Sequence, residues 1–300
     1  MAKVFIDGAA GTTGLKIYDR LSARSDIELI TLPDQLRKDD SARADAVRRS
    51  DITFLCLPDD AAVNAVSLAD ENTVVIDTST AHRVADGWVY GMPELEGQKD
   101  KIRSSKRIAN PGCHASGFIA LVAPLISNGI IDKTALLSCF SLTGYSGGGK
   151  KMIAEYESED RNVLYEAPRQ YGLSQSHKHL PEMKAICGLD NAPVFCPAVA
   201  PFYSGMEVTV PLFDVDIEKI KEIYSDTYNG VIRYKDASEN GFVSAGTLSG
   251  KDSMYVYVHG NSERAVLCAV YDNLGKGASG AAIQNMNIIL NEVETKGLIL

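Results

Sequence analysis

The sequence has no apolar run approaching the roughly 20 residues needed to cross a bilayer. It also has no internal repeat and no low-complexity tract. Positive charge is not in excess, since 39 Asp and Glu residues against 30 Lys and Arg residues give a formal net charge of -9. Proteins that bind nucleic acids or anionic membranes usually carry the opposite sign. We therefore expect neither a nucleic-acid partner nor a membrane partner.

Cysteines are few; they form no CxxC pair and no regularly spaced set that could pair as disulfides, which argues against a disulfide scaffold. The six are Cys56, Cys113, Cys139, Cys187, Cys196 and Cys268. Cys56 and Cys268 lie inside strand-like runs, where a buried free thiol is the ordinary interpretation. No signal-peptide layout precedes the first strand-like run, KVFID. We therefore expect a cytoplasmic protein, in a compartment that keeps thiols reduced.

Strand-like and helix-like runs alternate in the N-terminal third, which predicts a parallel sheet with helices on both sides. The strands are KVFID, IELITL, DITFLCLP and TVVIDTST. Beyond residue 113 longer strands follow, with one clear helix, DIEKIKEIYSDTYNG, among them. These strands are ALLSCFSLTG, APVFCPAVAPF, MEVTVPLF, MYVYVHG and RAVLCAVYDN. The sequence therefore predicts an α/β domain followed by an α+β domain with a mostly antiparallel sheet.

A glycine-rich loop, DGAAGTTG, joins the first strand to the first helix. Gly8, Gly11 and Gly14 allow the backbone to turn tightly and to approach a pyrophosphate on the helix N-terminus, which Thr12 and Thr13 begin. The position of this loop indicates a dinucleotide site in a Rossmann-type domain. The spacing GxxGxxG differs from the common GxGxxG, and a tight turn without a ligand is the alternative.

The end of the second strand indicates which dinucleotide binds. NAD-preferring sites usually hold an acidic residue there, but this strand ends with Thr31 and Leu32. Asp34 could take that part, although Arg37 and Lys38 follow it and could pair with a 2′-phosphate. We therefore favour NADP over NAD. The alternative is that these charges line a solvated loop.

Cys113 follows an Asn-Pro-Gly turn and precedes a long apolar run, so that it should begin a helix. At this position the unpaired backbone N–H groups and the helix dipole favour an anion. The thiol should therefore lose its proton more easily than an ordinary thiol and act as a nucleophile.

Two histidines, His177 and His179, stand two residues apart in SQSHKHLPEMKAI. This spacing puts both imidazoles on one side of an extended segment. Glu182 then begins a helix and could orient one ring as a general base. HxH is also a zinc pattern, but no third and fourth ligand stands nearby, so we expect no metal. Surface histidines without a role are the second alternative.

Two polar stretches are candidates for ligand contacts. SLTGYSGGGKKMIAEY is a glycine-rich loop whose Ser146, Lys150 and Lys151 could hold a phosphate or a carboxylate. A flexible hinge with solvated lysines would look the same. DTSTAHR ends a parallel strand, at the sheet edge where open α/β folds bind ligands. Ser79, His82 and Arg83 are candidates there, with a solvated loop as the alternative.

Together these motifs resemble the N-acetyl-γ-glutamyl-phosphate reductase family in its shorter form. The matching stretches are GAAGTTGLKI, DTSTAHR, WVYGMPEL, ANPGCHASGFIALVAPLI, TGYSGGGKKMI, HKHLPEM and NLGKGASGAAIQNMN. They cover nearly the whole chain in the family's order. One departure is visible, because the family's cysteine is usually followed by an aromatic residue and then, two positions later, by a threonine. Here His114 and Ser116 stand instead; Ser116 keeps a hydroxyl for phosphate contact, and His114 adds a titratable neighbour.

The resemblance implies reduction of N-acetyl-L-glutamyl 5-phosphate to N-acetyl-L-glutamate 5-semialdehyde and phosphate, with NADP(H) as cofactor, in arginine biosynthesis. Cys113 would attack the acyl phosphate and form a thioester that accepts hydride. His179, oriented by Glu182, would act as the acid and base, and His177 would contact the substrate.

The resemblance also implies the remaining contacts. Arg83, Lys150 and Lys151 are candidates for binding the substrate's carboxylate and phosphate. Asn273 and Gly275 lie in a stretch that resembles the one closing over the nicotinamide.

Two domains are expected. Residues 1–112 would form the NADP-binding domain, completed by a C-terminal helix over 273–300, and residues 113–272 the catalytic and oligomerisation domain. An exposed sheet face suggests a homodimer or homotetramer. Aspartyl phosphate, or an aminoadipyl analogue on an acidic carrier protein, remains an alternative substrate. A nucleotide-binding regulator that kept the fold and lost the chemistry is an alternative of another class.

Overall fold

A computed structural model describes residues 1–238 and 240–300 of the chain. Backbone contacts divide these residues into two compact units. The first contains Met1–Pro111 and Ala278–Leu298, and the second contains Gly112–Gly277 and Ile299–Leu300.

The first unit is built on a parallel sheet. Its strands are β1 (Ala2–Asp7), β2 (Ile27–Ile30), β3 (Ile52–Leu55), β4 (Val74–Asp77), β5 (Val89–Tyr90) and β6 (Arg107–Ala109). They lie in the order β2-β1-β3-β4-β6-β5, and all neighbouring pairs are parallel. Strands β3 and β4 are buried along their whole length, as expected of a sheet covered on both faces. The predicted parallel sheet is confirmed.

Five helices belong to the first unit. They are α1 (Thr12–Ser22), α2 (Asp40–Arg49), α3 (Asp59–Val66), α4 (Gln98–Ser104) and a C-terminal helix (Gly280–Ile289). The C-terminal helix places Ile283 and Met286 in the same core as Val4 and Ile76. It is shorter than the predicted span of 273–300. A π-type turn precedes it, and Asn291, with a φ of 53°, follows it in the left-handed region that ends helices.

The second unit contains a mixed, mostly antiparallel sheet. Its strands are β7 (Ser138–Gly144), β8 (Arg169–Gln170), β9 (Val194–Ala200), β10 (Met206–Phe213), β11 (Ile232–Tyr234), β12 (Met254–Gly260) and β13 (Arg264–Tyr271). They lie in the order β11-β12-β13-β10-β7-β9-β8. The pairs β11–β12 and β7–β9 are parallel, and the other pairs are antiparallel. This confirms the predicted fold class.

The helices of the second unit are α5 (Cys113–Ser127), α6 (Gly149–Glu157), α7 (Leu180–Cys187) and α8 (Ile217–Thr227). Only α8 was expected as a clear helix among the strands, so α6 is a correction: Lys150 and Lys151 lie in its first turn and not in a loop. Three glycines before these lysines obscure the helical pattern in the sequence. In the described residues, 1–238 and 240–300, none of the helices combines the length and hydrophobicity of a membrane span.

Helix α5 packs against one face of the second sheet and is buried from His114 to Leu125. The alternation along β10 separates the two faces. Val208 and Val210 are fully buried, whereas Thr209 is half-buried and Pro211 is exposed. The sheet therefore has one covered face and one more open face.

Candidate active site

Cys113 is the first residue of α5, as the sequence predicts. Gly112 precedes it in extended conformation, with φ -77° and ψ 144°, and no side chain caps the helix. The N–H of Ser116 donates to the Gly112 carbonyl at 2.9 Å. The first N–H groups of a helix lie ahead of its first such bond and have no acceptor within the helix. Groups of this kind would stabilise a thiolate or an oxyanion at the start of a helix.

Most other cysteines are poor nucleophiles. Burial raises the pKa of Cys56 to about 12 and that of Cys268 to about 11. Burial also raises the pKa values of Cys139 and Cys187 far above the ordinary thiol value. Cys113, by contrast, is partly exposed at a helix start. That its thiol is unusually acidic stays a prediction.

The two predicted histidines lie side by side. Their rings meet edge to face, with centroids 4.7 Å apart, and His179 is buried. The backbone N–H of His179 donates to Nδ1 of His177 at 3.2 Å. Nδ1 of neutral His177 is therefore an acceptor, and its proton lies on Nε2.

Glu182 connects this pair to the start of α5. Its side chain is almost fully buried, and Oε2 accepts the N–H of Gly112 at 3.1 Å. Oε1 lies 4.0 Å from Nε2 of His179. The same carboxylate therefore contacts the residue before Cys113 and stabilises positive charge on His179.

His114 lies in the middle of the cluster. Its Nδ1 lies 2.6 Å from the hydroxyl of Ser141, and its Nε2 lies 2.7 Å from the hydroxyl of Tyr171. Burial, and then the neighbouring His177, lower the pKa of His114 to about 3. His114, which the sequence predicts as a titratable neighbour of Cys113, is therefore neutral near pH 7.

Two tyrosines that sequence analysis missed lie beside Cys113. Burial, and then the thiolate charge of Cys113, raise the pKa of Tyr171 well above its ordinary value. Tyr271 is fully buried; its hydroxyl donates to the Cys113 carbonyl at 2.5 Å and accepts the N–H of Gly117 at 3.1 Å. Tyr271 ends β13 directly before the family stretch DNLGKGASG, which is the one local feature that could have indicated it.

The turn after β13 also packs against Cys113. A Cβ atom on Gly277 would lie 3.0 Å from Cβ of Cys113. In the same turn, a Cβ on Gly275 would lie 2.0 Å from the carbonyl oxygen of Lys251. Only glycine fits at Gly275. The side chain of Lys276, between them, is almost completely buried, and sequence analysis also missed it.

The other predicted residues of the second unit make structural contacts. Asn273 donates to the hydroxyl of Ser146 at 3.0 Å and accepts the N–H of Gly205 at 3.0 Å. The hydroxyl of Ser116 donates to the Gly112 carbonyl at 3.1 Å. Lys150 and Lys151 are exposed. The structure thus brings Cys113, His114, Ser116, His177, His179 and Glu182 together. The ligand roles of the remaining residues stay predictions.

In the first unit, the glycine loop has the geometry of a phosphate cradle. Gly8 has a φ of 88°, and a Cβ there would lie 2.3 Å from the Cys56 carbonyl oxygen. A Cβ on Gly14 would lie 2.5 Å from the Gly8 carbonyl oxygen. Helix α1 begins at Thr12 after Gly11, with no side-chain cap, so its first N–H groups can bind a phosphate. These residues fit a dinucleotide.

A cavity of about 800 Å³ opens beside this loop. It is lined by Gly8, Thr31, Leu32, Arg37 and Lys38, among others. Arg37 forms an exposed ion pair with Asp34 at 2.8 Å. The acidic candidate for a ribose contact is therefore already paired with the candidate for a phosphate contact.

Ser79 and Arg83 hold the loop after β4. The hydroxyl of Ser79 donates to Asp77 at 2.6 Å. Arg83 is buried, and its guanidinium donates to the carbonyls of Asn110 and Thr78 at 3.1 and 3.2 Å. Direct contacts of Ser79 and Arg83 with ligands stay predictions.

The chain matches two described families. Residues 113–273 match the semialdehyde dehydrogenase dimerisation domain, and residues 33–104 match the semialdehyde dehydrogenase NAD binding domain. The first match supports an oligomer, and the second supports a nicotinamide cofactor.

Curated relatives match over nearly their whole length. The N-acetyl-gamma-glutamyl-phosphate reductase of Allorhizobium ampelinum is 47% identical over 97% of this chain and 99% of the relative. The N-acetyl-gamma-glutamyl-phosphate reductase 2 of a Nostoc species is 43% identical over 99% of both chains.

Solved structures share the fold at low identity. Aspartate semialdehyde dehydrogenase II from Vibrio cholerae, complexed with ASA, is 16% identical, with a TM-score of 0.71 over 97% of this chain and 98% of that one. The aspartate semialdehyde dehydrogenase of Francisella tularensis is 15% identical, with a TM-score of 0.73 over 97% and 100%. Identity as low as that of the solved structures shows the fold alone. Identity above 40% along the whole chain, as with the curated relatives, also shows the family. The chain belongs to the N-acetyl-γ-glutamyl-phosphate reductase family, whose members are aldehyde-forming oxidoreductases.

Proposed function

We propose that this protein reduces N-acetyl-L-glutamyl 5-phosphate to N-acetyl-L-glutamate 5-semialdehyde and releases phosphate, as a step of arginine biosynthesis. The observation that carries this proposal is the constellation of Cys113, His179 and Glu182 at the start of α5. It occurs in a chain that is 47% identical to a reductase of that name. All six cysteines are free thiols, which suits the cytoplasm as its location.

Cys113 begins the reaction as a thiolate. Its sulfur bonds to the acyl carbon, the bond from that carbon to the phosphate oxygen breaks, and inorganic phosphate leaves. The N–H groups at the start of α5 stabilise both the thiolate and the oxyanion that forms during attack. The product on the protein is a thioester of Cys113.

Proton transfer is assigned to His179. Glu182 contacts its ring and also the N–H of Gly112, so that the imidazole is held relative to the residue that carries the nucleophile. His179 takes the thiol proton of Cys113 and later holds a proton for the tetrahedral oxygen. When bound, the reduced nicotinamide cofactor supplies the hydride that converts the thioester to the aldehyde.

NADP(H) is proposed as the cofactor. No acidic side chain follows β2 directly, since Thr31 and Leu32 stand there, and Arg37 and Lys38 line the cavity beside the glycine loop. A charge-assisted contact of about 1.5–3 kcal/mol predicts that Arg37→Ala lowers the preference for NADPH over NADH by about 10- to 100-fold. The ratio of kcat/KM for the two cofactors measures this, and equal use of both by the wild type would refute it.

A homodimer, or a tetramer built from it, is proposed to form through the open face of the second sheet. Phe140 of β7 is 43% exposed on this face and is paired in register with Thr209 and Cys196. Val266 of β13, 38% exposed, is paired with the exposed Pro211. Light scattering should give a multiple of the chain mass for the wild type and a smaller species for Phe140→Asp. A monomeric wild type would refute this assembly.

The first experiment follows NADPH formation from N-acetyl-glutamate semialdehyde and phosphate by ultraviolet absorbance. This reverse direction avoids the labile acyl phosphate. Turnover should require phosphate and should nearly vanish in Cys113→Ser, while the matched control Cys196→Ser keeps it. Faster oxidation of aspartate semialdehyde would overturn the substrate, and normal turnover by Cys113→Ser would overturn the nucleophile.

A further inference from the structure

Both ring nitrogens of His114, the residue after Cys113, make hydrogen bonds. The side chain is almost fully buried. Nδ1 is 2.6 Å from Oγ of Ser141, and Nε2 is 2.7 Å from the hydroxyl oxygen of Tyr171. A phenyl ring at this position would make neither bond. His114 therefore forms a hydrogen-bonded chain with Ser141 and Tyr171, next to Cys113 in sequence.

Burial fixes the direction of the first hydrogen bond. Ser141 lies on β7 with no exposed surface, and Nδ1 of His114 is the partner of its hydroxyl group in the described part of the chain. A fully buried hydroxyl proton needs an acceptor. Ser141 therefore donates to Nδ1 of His114.

The second direction follows from the first. A neutral imidazole that accepts at Nδ1 carries its proton on Nε2, and Nε2 of His114 therefore donates to the Tyr171 oxygen. The ring stays neutral near pH 7, since burial and His177 lower the pKa of His114 to about 3. The titratable groups around this ring are Tyr171, His177 and His179, with Cys113 adjacent in sequence.

Tyr171 consequently keeps its own proton for another acceptor. His114 is the hydrogen-bond partner of its hydroxyl group among residues 1–238 and 240–300, and in that bond the tyrosine oxygen is the acceptor. Burial, and then the thiolate charge of Cys113, raise the pKa of Tyr171. The phenol is therefore protonated and within electrostatic range of the nucleophile.

We propose that Ser141 and His114 are positioning residues that orient the Tyr171 hydroxyl, so that it donates its hydrogen bond toward Cys113 and the acyl oxygen bound there. This proposal rests on the proposed function of Cys113 as the nucleophile. No proton is transferred along this relay, which consists of Ser141, His114 and Tyr171. It sets which of the two groups, histidine or tyrosine, has a donor left for the reacting atoms.

Variants of His114 separate hydrogen bonding from packing. His114→Phe removes both ring nitrogens and keeps a planar ring. His114→Gln returns an amide N–H near the position of Nε2, and His114→Asn returns one near Nδ1. One oxyanion donor contributes roughly 10²–10³-fold to kcat, so we expect about a tenfold loss in His114→Phe from poorer orientation. KM should change little, His114→Gln should recover most of the loss, and His114→Asn should not.

Ser141→Ala gives an independent test if substitution of His114 prevents folding. It removes the donor to Nδ1, so that either tautomer of His114 can form. We expect kcat to fall, and the double variant Ser141→Ala/His114→Phe to fall no further than His114→Phe alone. Effects that multiply would overturn the relay, because they would show two independent contributions.

A readout without turnover distinguishes failure of the relay from failure of the proposed function. The rate at which iodoacetamide alkylates Cys113 is measured against pH by mass spectrometry. Loss of the oriented donor should raise the pH midpoint of alkylation in His114→Phe and in Ser141→Ala. Phe195→Leu is the matched packing control, because Phe195 touches the His114 ring edge to face at 5.3 Å without a hydrogen bond.

The outcomes are distinct. Unchanged midpoints in both variants, or an equal shift in Phe195→Leu, would overturn the relay even if the wild type turns over the predicted substrate. Shifted midpoints in a wild type background that oxidises no acetylated semialdehyde would support the relay and overturn the proposed substrate.

Discussion

An alanine at Gly117 should disturb both the stability of the second unit and the position of Cys113. A Cβ atom at Gly117 would lie 2.7 Å from the hydroxyl oxygen of Tyr271 and 2.7 Å from Cγ2 of Val208. It would also lie 2.9 Å from Cε1 of Tyr271, and separations under 3.0 Å are essentially never observed for real Cβ atoms. Both neighbours are fully buried on adjacent strands. The helix or the strands must therefore move.

Three contributions set the magnitude of this change. Overpacking a buried site costs about 1–3 kcal/mol, and loss of the hydrogen bond from the Gly117 N–H to Tyr271 costs about 1 kcal/mol. Alanine is favoured over glycine within a helix by about 1 kcal/mol. The free energy of unfolding should therefore fall by about 1–3 kcal/mol.

The chemistry should suffer as well. The hydroxyl that Gly117 touches also donates to the Cys113 carbonyl at 2.5 Å, and its displacement shifts the first turn of α5. Misplacement of a nucleophile by about 1 Å can cost roughly 10²-fold in rate. We expect a decrease of that order in kcat and a parallel decrease in alkylation of Cys113.

Urea unfolding and Cys113 alkylation measure the two effects. Gly230→Ala is the matched control, because a Cβ there meets nothing within 4 Å, and it should leave both quantities unchanged. A Gly117→Ala protein with wild-type stability and wild-type alkylation would show that the turn does not depend on this contact. The reasoning from close packing would then be refuted.

Two further predictions concern carboxylates. Glu182→Gln should keep an acceptor for the Gly112 N–H but remove the negative charge 4.0 Å from His179. We therefore expect kcat to fall by about tenfold or more, while the midpoint of thermal unfolding changes little. An unchanged kcat would exclude a role for the charge. Hydrogen bonds from Arg24, and then from Lys296, hold the pKa of Asp26 well below its ordinary value. Ionised Asp26 therefore stabilises the folded protein above about pH 4, and this contribution is lost as the pH falls through the folded pKa. Asp26→Asn should therefore lower the free energy of unfolding, measured with urea at neutral pH, by about 1 kcal/mol, since the Asp26 side chain is 28% exposed beside the buried Arg24. A loss of equal size in acid would contradict this assignment.

The elements with strong local patterns could be predicted from the sequence. The run ITFL of β3 is buried along its whole length and is apolar except for Thr53, because both faces of the sheet are covered. The start of α5 follows from Pro111 and Gly112, which break the preceding strand. Elements with weak local patterns could not be predicted correctly. Helix α6 has only nine residues after a run of glycines, and the C-terminal helix stops at Ile289 because of a left-handed Asn291 that nothing in the apolar pattern indicates.

The residues of the candidate site also differ in whether a local sequence pattern could predict them. Cys113, His179 and Glu182 could be proposed from the sequence because each belongs to a short local pattern with a known chemical use. Tyr171 and Tyr271 could not, because pairing between distant strands brings them to Cys113. Tyr271, for example, faces α5 only because β13 pairs with β10 in a register that sets it opposite Met206. No local spacing encodes that register.

Strand register also links the candidate active site to the open face of the second sheet. Along β7, Ser141 is buried and holds His114, whereas its neighbours Phe140 and Leu142 lie on the opposite face. A shift of one residue would exchange these two sets, since side chains alternate between faces. The sequence of β7 must therefore satisfy two requirements at once, an active-site hydrogen bond on one face and an apolar surface on the other. A substitution that displaces this strand from its pairing with Val208 and Thr209 should consequently impair catalysis and assembly together.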